Sequence, residues 1–297
     1  MNIKAALQQR AKELNIPLPK LLQHYAMERF LYRLSLSSVA DRFYLKGGML
    51  LMGVGVGTAR TTMDIDLLGR ISNSPDCIQK AIVTVITTKP GIADGVRFSD
   101  NVNVQEITKD ALYVGLRLSF TADVVGVRCD MKVDIGFSDE VYPAALMLDY
   151  PSTLSGIPGA RLQCYSLESV VAEKWQAMVQ LKQMSSRMKD FYDLWFLSRR
   201  FSFEYKVLKE AIMRTFERRA TNRREYDNLK TENYKKSQQS EWAAYIRKLK
   251  AACFQKKDVV EIPSRYFSEV MDEILNWLEP IMLDASYHIW KPGKGWK

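Results

Sequence analysis

Two aspartates one residue apart are the side chains of this sequence best suited to chemistry. In the segment 60–66, which reads RTTMDID, an extended backbone would place Asp64 and Asp66 on one face and turn Ile65 toward the core. Two carboxylates held side by side repel each other unless a cation lies between them. Mg²⁺ is usually held by one or two carboxylates together with substrate phosphates, so the pair predicts a magnesium site. Taken alone, the same pair would also fit a solvated strand end.

A glycine turn upstream and an acidic strand downstream strengthen this prediction. Lys46 is followed by Gly47 and Gly48, which have no side chains to block the approach of a phosphate. Asp134, on the polar face of a predicted strand, is the candidate third metal ligand, and Asp130 on the same face is the fallback. Together these residues point to phosphoryl or nucleotidyl transfer, in which two metal ions about 3.5–4 Å apart stabilise the attacking and leaving oxygens.

Basic residues on both sides of this group could bind a triphosphate. Arg60 offers a forked guanidinium, and Lys174 offers a compact charge on a predicted helix. On a second helix, Lys189, Asp190 and Asp193 are spaced so that all three can share one edge. This second group fits either a site role or an ion pair on the surface. Its aromatic neighbours are predicted to be core rather than a platform for bases: Tyr192, Trp195 and Phe196.

The elements around these residues predict an α/β (α+β) core followed by helices. Apolar periodicity and turn residues predict helices over 3–16, 18–37, 49–53 and 75–87, and strands over 43–45, 64–68, 102–107, 113–120 and 127–137. Glycines at 53, 55 and 57 predict a loop after the third helix, and prolines mark a connecting region over about 141–163. Helices are predicted again over 166–184 and 189–200. The predicted domains are 1–160 and 161–297.

Charge is concentrated in the second predicted domain. Residues 199–258 hold 17 Lys and Arg against 8 Asp and Glu, which accounts for the whole net charge of +9. A solvated basic helix face would explain this, and so would a site for nucleic acid phosphates. Aromatic residues inside the block favour the nucleic acid: Tyr226, Tyr234, Trp242 and Tyr245.

Several other classes of protein are excluded by composition. The 4 cysteines are scattered without metal-ligand spacing, as in a reducing cytoplasm, and the 2 histidines lie near opposite ends. The longest apolar run, 49–59, is well short of the roughly 20 residues that span a bilayer, and the N-terminus is charged and helical in pattern rather than a signal peptide. We therefore expect a cytoplasmic protein with no membrane partner.

A series of motifs runs in a fixed order along most of the chain. These motifs are ERFLYRL at 28–34, LKGG at 45–48, RxTxDxD at 60–66, VDIG at 133–136, AEK at 172–174 and RMKDFYDL at 187–194. In order and spacing they resemble the AbiEii/AbiGii family, the toxins of type IV toxin–antitoxin and abortive-infection systems, within the nucleotidyltransferase superfamily that includes polymerase β. The resemblance implies a nucleotidyltransferase core with a mixed sheet flanked by helices. It also implies a helical C-terminal domain that completes the active site and carries a basic surface.

The resemblance also implies a role for each candidate residue. The nucleotide would be bound by Lys46, Gly47, Gly48, Arg60, Thr62 and Lys174. Two Mg²⁺ ions would be held by Asp64, Asp66 and Asp134, and further catalytic positions would be Lys189, Asp190 and Asp193. Two positions depart from the family pattern. Gly48 stands where the family usually has serine, and Leu181 stands where it has arginine, with Lys182 or Arg187 as the nearby charges.

The function implied is that of a toxin that transfers a nucleoside monophosphate from an NTP to an acceptor. Several relatives modify the tRNA 3′ end and so block translation and growth, and the basic block would suit tRNA. A cognate antitoxin encoded nearby is the implied protein partner. Two alternatives stay open: nucleotidylation of a protein, either a target or the antitoxin, and a non-catalytic binding module with a degenerate nucleotidyltransferase fold. The intact acids at 64, 66 and 134 argue against the second.

Overall fold

A computed structural model describes residues 1–55, 62–109, 113–137, 139–181, 187–254 and 261–297. Contacts divide these residues into two units. The first contains the described residues of 1–137 and 145–164, and the second contains those of 139–144, 165–254 and 261–297. Within these ranges, no helix combines the length and the apolar character that crossing a bilayer would require.

Three of the four helices of the first unit begin at a capping residue or a proline, and the third along the chain begins at the glycine turn. They are α1 (Ile3–Leu14), α2 (Leu18–Leu36), α3 (Gly47–Gly53) and α4 (Pro75–Thr87). Asn2 caps α1 by accepting a hydrogen bond from the Ala5 amide, and Ser74 caps α4 by accepting one from Cys77. Helix α2 contributes Tyr25, Phe30 and Leu31 to the core, all fully buried. It is the central helix of this unit.

The first unit is built on a mixed sheet. Its strands are β1 (Phe43–Lys46), β2 (Ile65–Gly69), β3 (Val96–Phe98), β4 (Asn103–Lys109), β5 (Tyr113–Val124), β6 (Val127–Gly136), β7 (Leu146–Tyr150) and β8 (Ala160–Cys164). The order is β3-β5-β6-β2-β1-β8-β7, with β4 paired to β5. Strand β2 runs parallel to β6, and β1 runs parallel to β8, whereas the other neighbours are antiparallel. The predicted α/β class with a mixed sheet flanked by helices is confirmed.

The predicted elements of this unit are present, and three strands were not predicted. The region 141–163 was expected to be a connection, but it holds β7 and β8, and the short β3 precedes β4. Strand β7 is at the edge of the sheet, and Leu146 and Met147 are exposed, so the apolar alternation that marks a half-buried strand is missing. Gly53 ends α3, as the helix predicted over 49–53 required, Gly55 lies in the following turn, and Gly57 lies outside the described residues.

The second unit is mainly helical, as predicted. Its helices are α5 (Leu167–Leu181), α6 (Met188–Arg200), α7 (Tyr205–Arg218), α8 (Glu232–Phe254) and α9 (Phe267–Met282). A small sheet was not predicted, and its strands are β9 (Phe203–Glu204), β10 (Ile289–Lys291) and β11 (Gly295–Trp296). The last residues of the helix predicted over 166–184 lie outside the described ranges.

The aromatic residues of the basic block form core contacts. Tyr226, Tyr234 and Trp242 are 4%, 3% and 0% exposed, and the rings of Tyr234 and Trp242 lie 6.2 and 5.9 Å from that of Phe267. The expectation that they favour a nucleic acid surface is therefore wrong for these three, because a buried ring cannot stack on a base. The aromatic residues of α6 are buried, as predicted: Tyr192, Trp195 and Phe196.

Candidate active site

Four charged residues lie in one row across four neighbouring strands of the first unit. Lys46 on β1 pairs with Asp66 on β2, Asp66 pairs with Asp134 on β6, and Asp134 pairs with Arg117 on β5. Residues directly paired on adjacent strands point to the same face, so the row reads cation, acid, acid, cation. Two like charges side by side destabilise a sheet, and the flanking cations offset that repulsion.

The opposite face of the same strands explains why this register is held. Ile65 and Leu67 on β2, and Val133 and Ile135 on β6, are buried at 0–1% exposure. A shift of one residue would turn these apolar side chains out of the core and the acids into it. The alternation predicted for the strand over 127–137 is thus present, and it fixes where the carboxylates lie.

Arg117 holds the carboxylate of Asp134 with both arms of its guanidinium. Nε lies 2.8 Å from Oδ1, and Nη2 lies 2.9 Å from Oδ2. The Asp134 side chain is 2% exposed, whereas that of Arg117 is 38% exposed. The hydrogen bond to Asp134 raises the pKa of Arg117, and the charges of Asp64 and Asp66 add to this. The acid is therefore fixed in the sheet, and the cation reaches it from the solvent side.

Arg117 was missed in the sequence, although a signal for it existed. Strands β5 and β6 are joined by Val125 and Gly126, which both have positive φ, as a two-residue hairpin turn requires. Arg117 lies as many residues before that turn as Asp134 lies after it, so the two are paired across β5 and β6. Recognition of the turn would have predicted the pair.

Gly47 brings the glycine turn against the acidic row. It has a φ of +64°, and a Cβ added there would lie 2.2 Å from Oδ2 of Asp66. Only glycine meets both conditions, since it tolerates the left-handed conformation and leaves room for the carboxylate. Gly48, the second residue of α3, is buried. The structure thus joins two of the sequence motifs at the carboxylate of Asp66.

Asp64 lies just before β2 and is oriented by its own neighbours. Thr62 donates a hydrogen bond from Oγ1 to Oδ1 of Asp64 at 3.3 Å, and the Met63 amide donates to the same oxygen at 3.2 Å. Thr62 was predicted as a nucleotide-binding residue, and here its hydroxyl contacts a predicted metal ligand. Arg60 lies outside the described residues, so its role stays a prediction.

The acids of this region fit a divalent cation by their chemistry and by their register. Carboxylate oxygens are the ligands that Mg²⁺ prefers, and Asp66 and Asp134 are directly paired. They do not yet form a complete metal cage: over the described ranges, no three Asp, Glu, His or Cys side chains are arranged to hold a metal ion. Both oxygens of Asp134 accept hydrogen bonds from Arg117, so a cation there must share or replace that partner.

The fallback ligand does not belong to the row. Asp130 pairs across the sheet with Thr121 on β5, whereas β2 reaches β6 only at residues 133–136. Its side chain is 77% exposed and lies 3.6 Å from Arg128, as in an ordinary surface ion pair. Asp134 is the acid of β6 that the structure places beside Asp66.

The second unit contains a buried charged group on α5 and α6. Lys174 Nζ lies 2.5 Å from Oδ1 of Asp190 and 2.7 Å from Oδ2 of Asp193, and Arg187 Nε lies 2.5 Å from Oδ2 of Asp190. Asp190 and Asp193 are 5% and 0% exposed. Burial alone would raise the pKa of Asp190, but the charges of Lys174 and Arg187 outweigh it and lower that pKa to about 2.

These contacts test the prediction that the charged residues of α6 form an ion pair on the surface. The surface ion pair is wrong for Asp190 and Asp193, since both are buried around Lys174. Lys189 does not share their burial and is exposed. Of the two charges considered near Leu181, Arg187 binds Asp190, and Lys182 lies outside the described residues.

A second polar network on α5 was missed in the sequence. Arg219 donates to Gln176 at 2.7 Å, to Asp139 at 2.8 Å and to Glu173 at 3.4 Å, with its side chain 12% exposed. These partners are 43 to 80 residues away along the chain. No local pattern carries such a signal. Glu173 and Gln176 lie on either side of Lys174 in the sequence of α5, so Arg219 binds the same part of this helix.

The sequence matches the model of one protein family over most of its length. Residues 29–257 match the family described as nucleotidyl transferase AbiEii toxin, type IV TA system. No curated protein matches the chain.

Two solved structures from Helicobacter pylori are similar in chain path. One is a candidate nucleotidyltransferase with 14% identity and a TM-score of 0.47, and the similarity covers 88% of this chain and 94% of that chain. The other is JHP933, with 14% identity, a TM-score of 0.49, and coverage of 89% and 92%.

Proposed function

The chain belongs to the AbiEii family of nucleotidyltransferase toxins, and we propose that it transfers a nucleoside monophosphate from an NTP to the 3′ end of a tRNA, with Mg²⁺ as cofactor. The family match carries the enzyme class, the toxin role, the NTP substrate and the existence of an antitoxin partner. The observation that supports the site is the pairing of Asp66 with Asp134, next to the glycine turn.

We infer roles for Lys46, Asp66 and Asp134 of the row and for Asp64, which precedes β2. Asp64, Asp66 and Asp134 would hold divalent cations, which in such sites neutralise the triphosphate and stabilise the attacking and leaving oxygens. Asp66 lies against Gly47, so a phosphate that approaches the turn comes beside this carboxylate. Lys46 is paired with Asp66 across the strands and contributes positive charge at the same edge. Positioning and charge neutralisation supply most of the catalysis in this chemistry.

We propose that Lys174 is a triphosphate-binding cation and that its acidic partners set its position. Asp190 and Asp193 contact its ammonium from two directions, which removes most of the freedom of a flexible side chain. Lys189, exposed on the same helix, is proposed to contact the nucleotide or the acceptor. The proposed role of Arg60 is to bind the triphosphate, as the family motif implies.

Exposed positive charge on α8 supports an RNA acceptor. Lys236, Arg247 and Lys250 are exposed and have helical spacing that places them on one face. Such a face binds phosphates, and its affinity falls steeply with salt. The buried aromatic residues of the block contribute no stacking, so we expect this surface to recognise the RNA backbone rather than its bases.

The deciding experiment follows a labelled nucleotide. The purified protein is incubated with Mg²⁺, total tRNA and each α-³²P-labelled NTP, and the products are separated into RNA and protein. Label on tRNA supports the proposal, label on protein indicates nucleotidylation of a protein, and no label with any acceptor contradicts both. Asp66→Asn should abolish the transfer, whereas Asp130→Asn, an exposed acid of the same sheet, should leave it unchanged.

A further inference from the structure

Arg117 is bound to an acid that the proposed function needs for metal. We propose that Arg117 is a positioning residue that competes with a divalent cation for Asp134 and thereby weakens metal binding at the row. This inference rests on the proposed function, because it takes Asp64, Asp66 and Asp134 to be the metal ligands.

The burial of the two partners indicates which of them can move. The Asp134 side chain is 2% exposed and belongs to a central strand, whereas that of Arg117 is 38% exposed. Arginine has several rotatable bonds and a charge that water solvates well once it turns outward. The guanidinium can therefore leave the carboxylate without any change in the sheet, and the carboxylate cannot follow it.

The charges of the row explain why Arg117 opposes metal binding. With Arg117 in place, the pair Asp134–Arg117 carries no net charge, and a guanidinium one strand away repels an incoming cation. If Arg117 turns away, two charge-assisted hydrogen bonds are lost. Whether Arg117 stays in place or turns away, the metal is bound less tightly than it would be by the three acids alone.

A second pair, with both residues on β6, provides the contrast. Arg128 and Asp130 are also a basic and an acidic residue of this hairpin, but they are 78% and 77% exposed and 3.6 Å apart. Solvent screens such a pair, and it adds little to stability or to the local field. Arg117, by contrast, makes a two-pronged contact with a buried acid.

The experiment measures metal binding in the absence of nucleotide and acceptor. Mn²⁺ is titrated into the full chain, and free Mn²⁺ is followed by electron paramagnetic resonance. Arg117→Gln should bind Mn²⁺ about tenfold tighter than the unaltered chain, because a bidentate charge-assisted pair no longer competes. Arg128→Gln should bind as the unaltered chain does. Adding Asp134→Asn to Arg117→Gln should remove the gain, which locates the effect at this pair.

Thermal unfolding distinguishes competition from a purely structural role. Loss of Arg117 removes two charge-assisted hydrogen bonds from a buried carboxylate, so Arg117→Gln should unfold at a lower temperature in EDTA. Mn²⁺ should restore most of that loss in Arg117→Gln and raise the unaltered chain much less. If Arg117→Gln does not fold, Arg117→Lys is used in its place, because lysine keeps the charge but loses the forked guanidinium. Arg117→Lys should show a smaller gain in Mn²⁺ affinity.

The outcomes separate this inference from the proposed function. The inference is overturned if Arg117→Gln binds Mn²⁺ no more tightly than the unaltered chain. If Arg117→Gln does not fold, the same criterion applies to Arg117→Lys. A lack of Mn²⁺ binding in every variant also overturns it. The transfer assay with labelled NTP is run on the same preparation of the unaltered chain. Tighter Mn²⁺ binding without any transfer would keep the inference and refute the proposed reaction.

Discussion

Replacement of Gly47 by alanine should inactivate the enzyme with only a modest loss of stability. The left-handed φ of +64° costs a residue with a Cβ roughly 1–2 kcal/mol. The added Cβ would lie 2.2 Å from Oδ2 of Asp66, whereas ordinary contacts begin at 3.4 Å, so one of the two must shift by 3.4 − 2.2 = 1.2 Å. A displacement of about 1 Å at a reacting group can lower the rate about 100-fold.

The matched control for this change is Gly91→Ala. Gly91 has a φ of +72° and nothing within 4 Å of an added Cβ, so it carries the same backbone cost without the clash. Urea unfolding should show a loss of stability in both variants, larger in Gly47→Ala because of the clash, and the initial rate of nucleotide transfer should fall only in Gly47→Ala. If Gly47→Ala transfers nucleotide within a few-fold of Gly91→Ala, the close approach of Gly47 to Asp66 is not required for catalysis and the reasoning fails.

Further predictions concern pH, the hairpin turn and RNA. The lowered pKa of Asp190 contributes about 2 kcal/mol of stability above pH ~4, and this is lost as the pH falls toward 2, so urea unfolding of Asp190→Asn should depend less on pH in that window. Val125 has a φ of +49°, which is unfavourable for a β-branched residue, so Val125→Asn should raise the free energy of unfolding by about 1 kcal/mol; an unchanged midpoint would contradict this. Charge reversal on the exposed face of α8 uses the substitutions Lys236→Glu, Arg247→Glu and Lys250→Glu. These changes should weaken tRNA binding and flatten its dependence on salt, as measured by filter binding, and should not affect Mn²⁺ binding.

The sequence predicted the acids of the site because they follow from local periodicity. Asp134 alternates with buried apolar residues on β6, and that pattern needs no knowledge of the other strands. Arg117 depends on the register between two strands, which only the hairpin turn encodes. The edge strand β7 lacks alternation, so its existence could be learned only from the fold.

The wrong prediction for the aromatic residues of the basic block has a different cause. Residues that are neighbours in sequence lie on different faces of a helix, so an aromatic residue among basic ones can still be buried. On α8 the residues Tyr234, Gln238, Trp242, Ile246 and Leu249 recur at helical spacing, and all five are buried. That stripe was readable in the sequence and predicts a core face, with the basic residues on the other sides of the helix.

The two-residue turn between β5 and β6 also limits how this protein can change in length. Val124 and Val127 are paired, and Arg117 and Asp134 lie equally far from them along the two strands. One inserted residue at Val125 or Gly126 that shifted the pairing would set an apolar neighbour of Arg117 opposite Asp134 and break both hydrogen bonds from Arg117. Insertions and deletions should therefore be rare at this turn among active homologues, whereas the exposed loop around Gly91, remote in sequence from the row, should accept them.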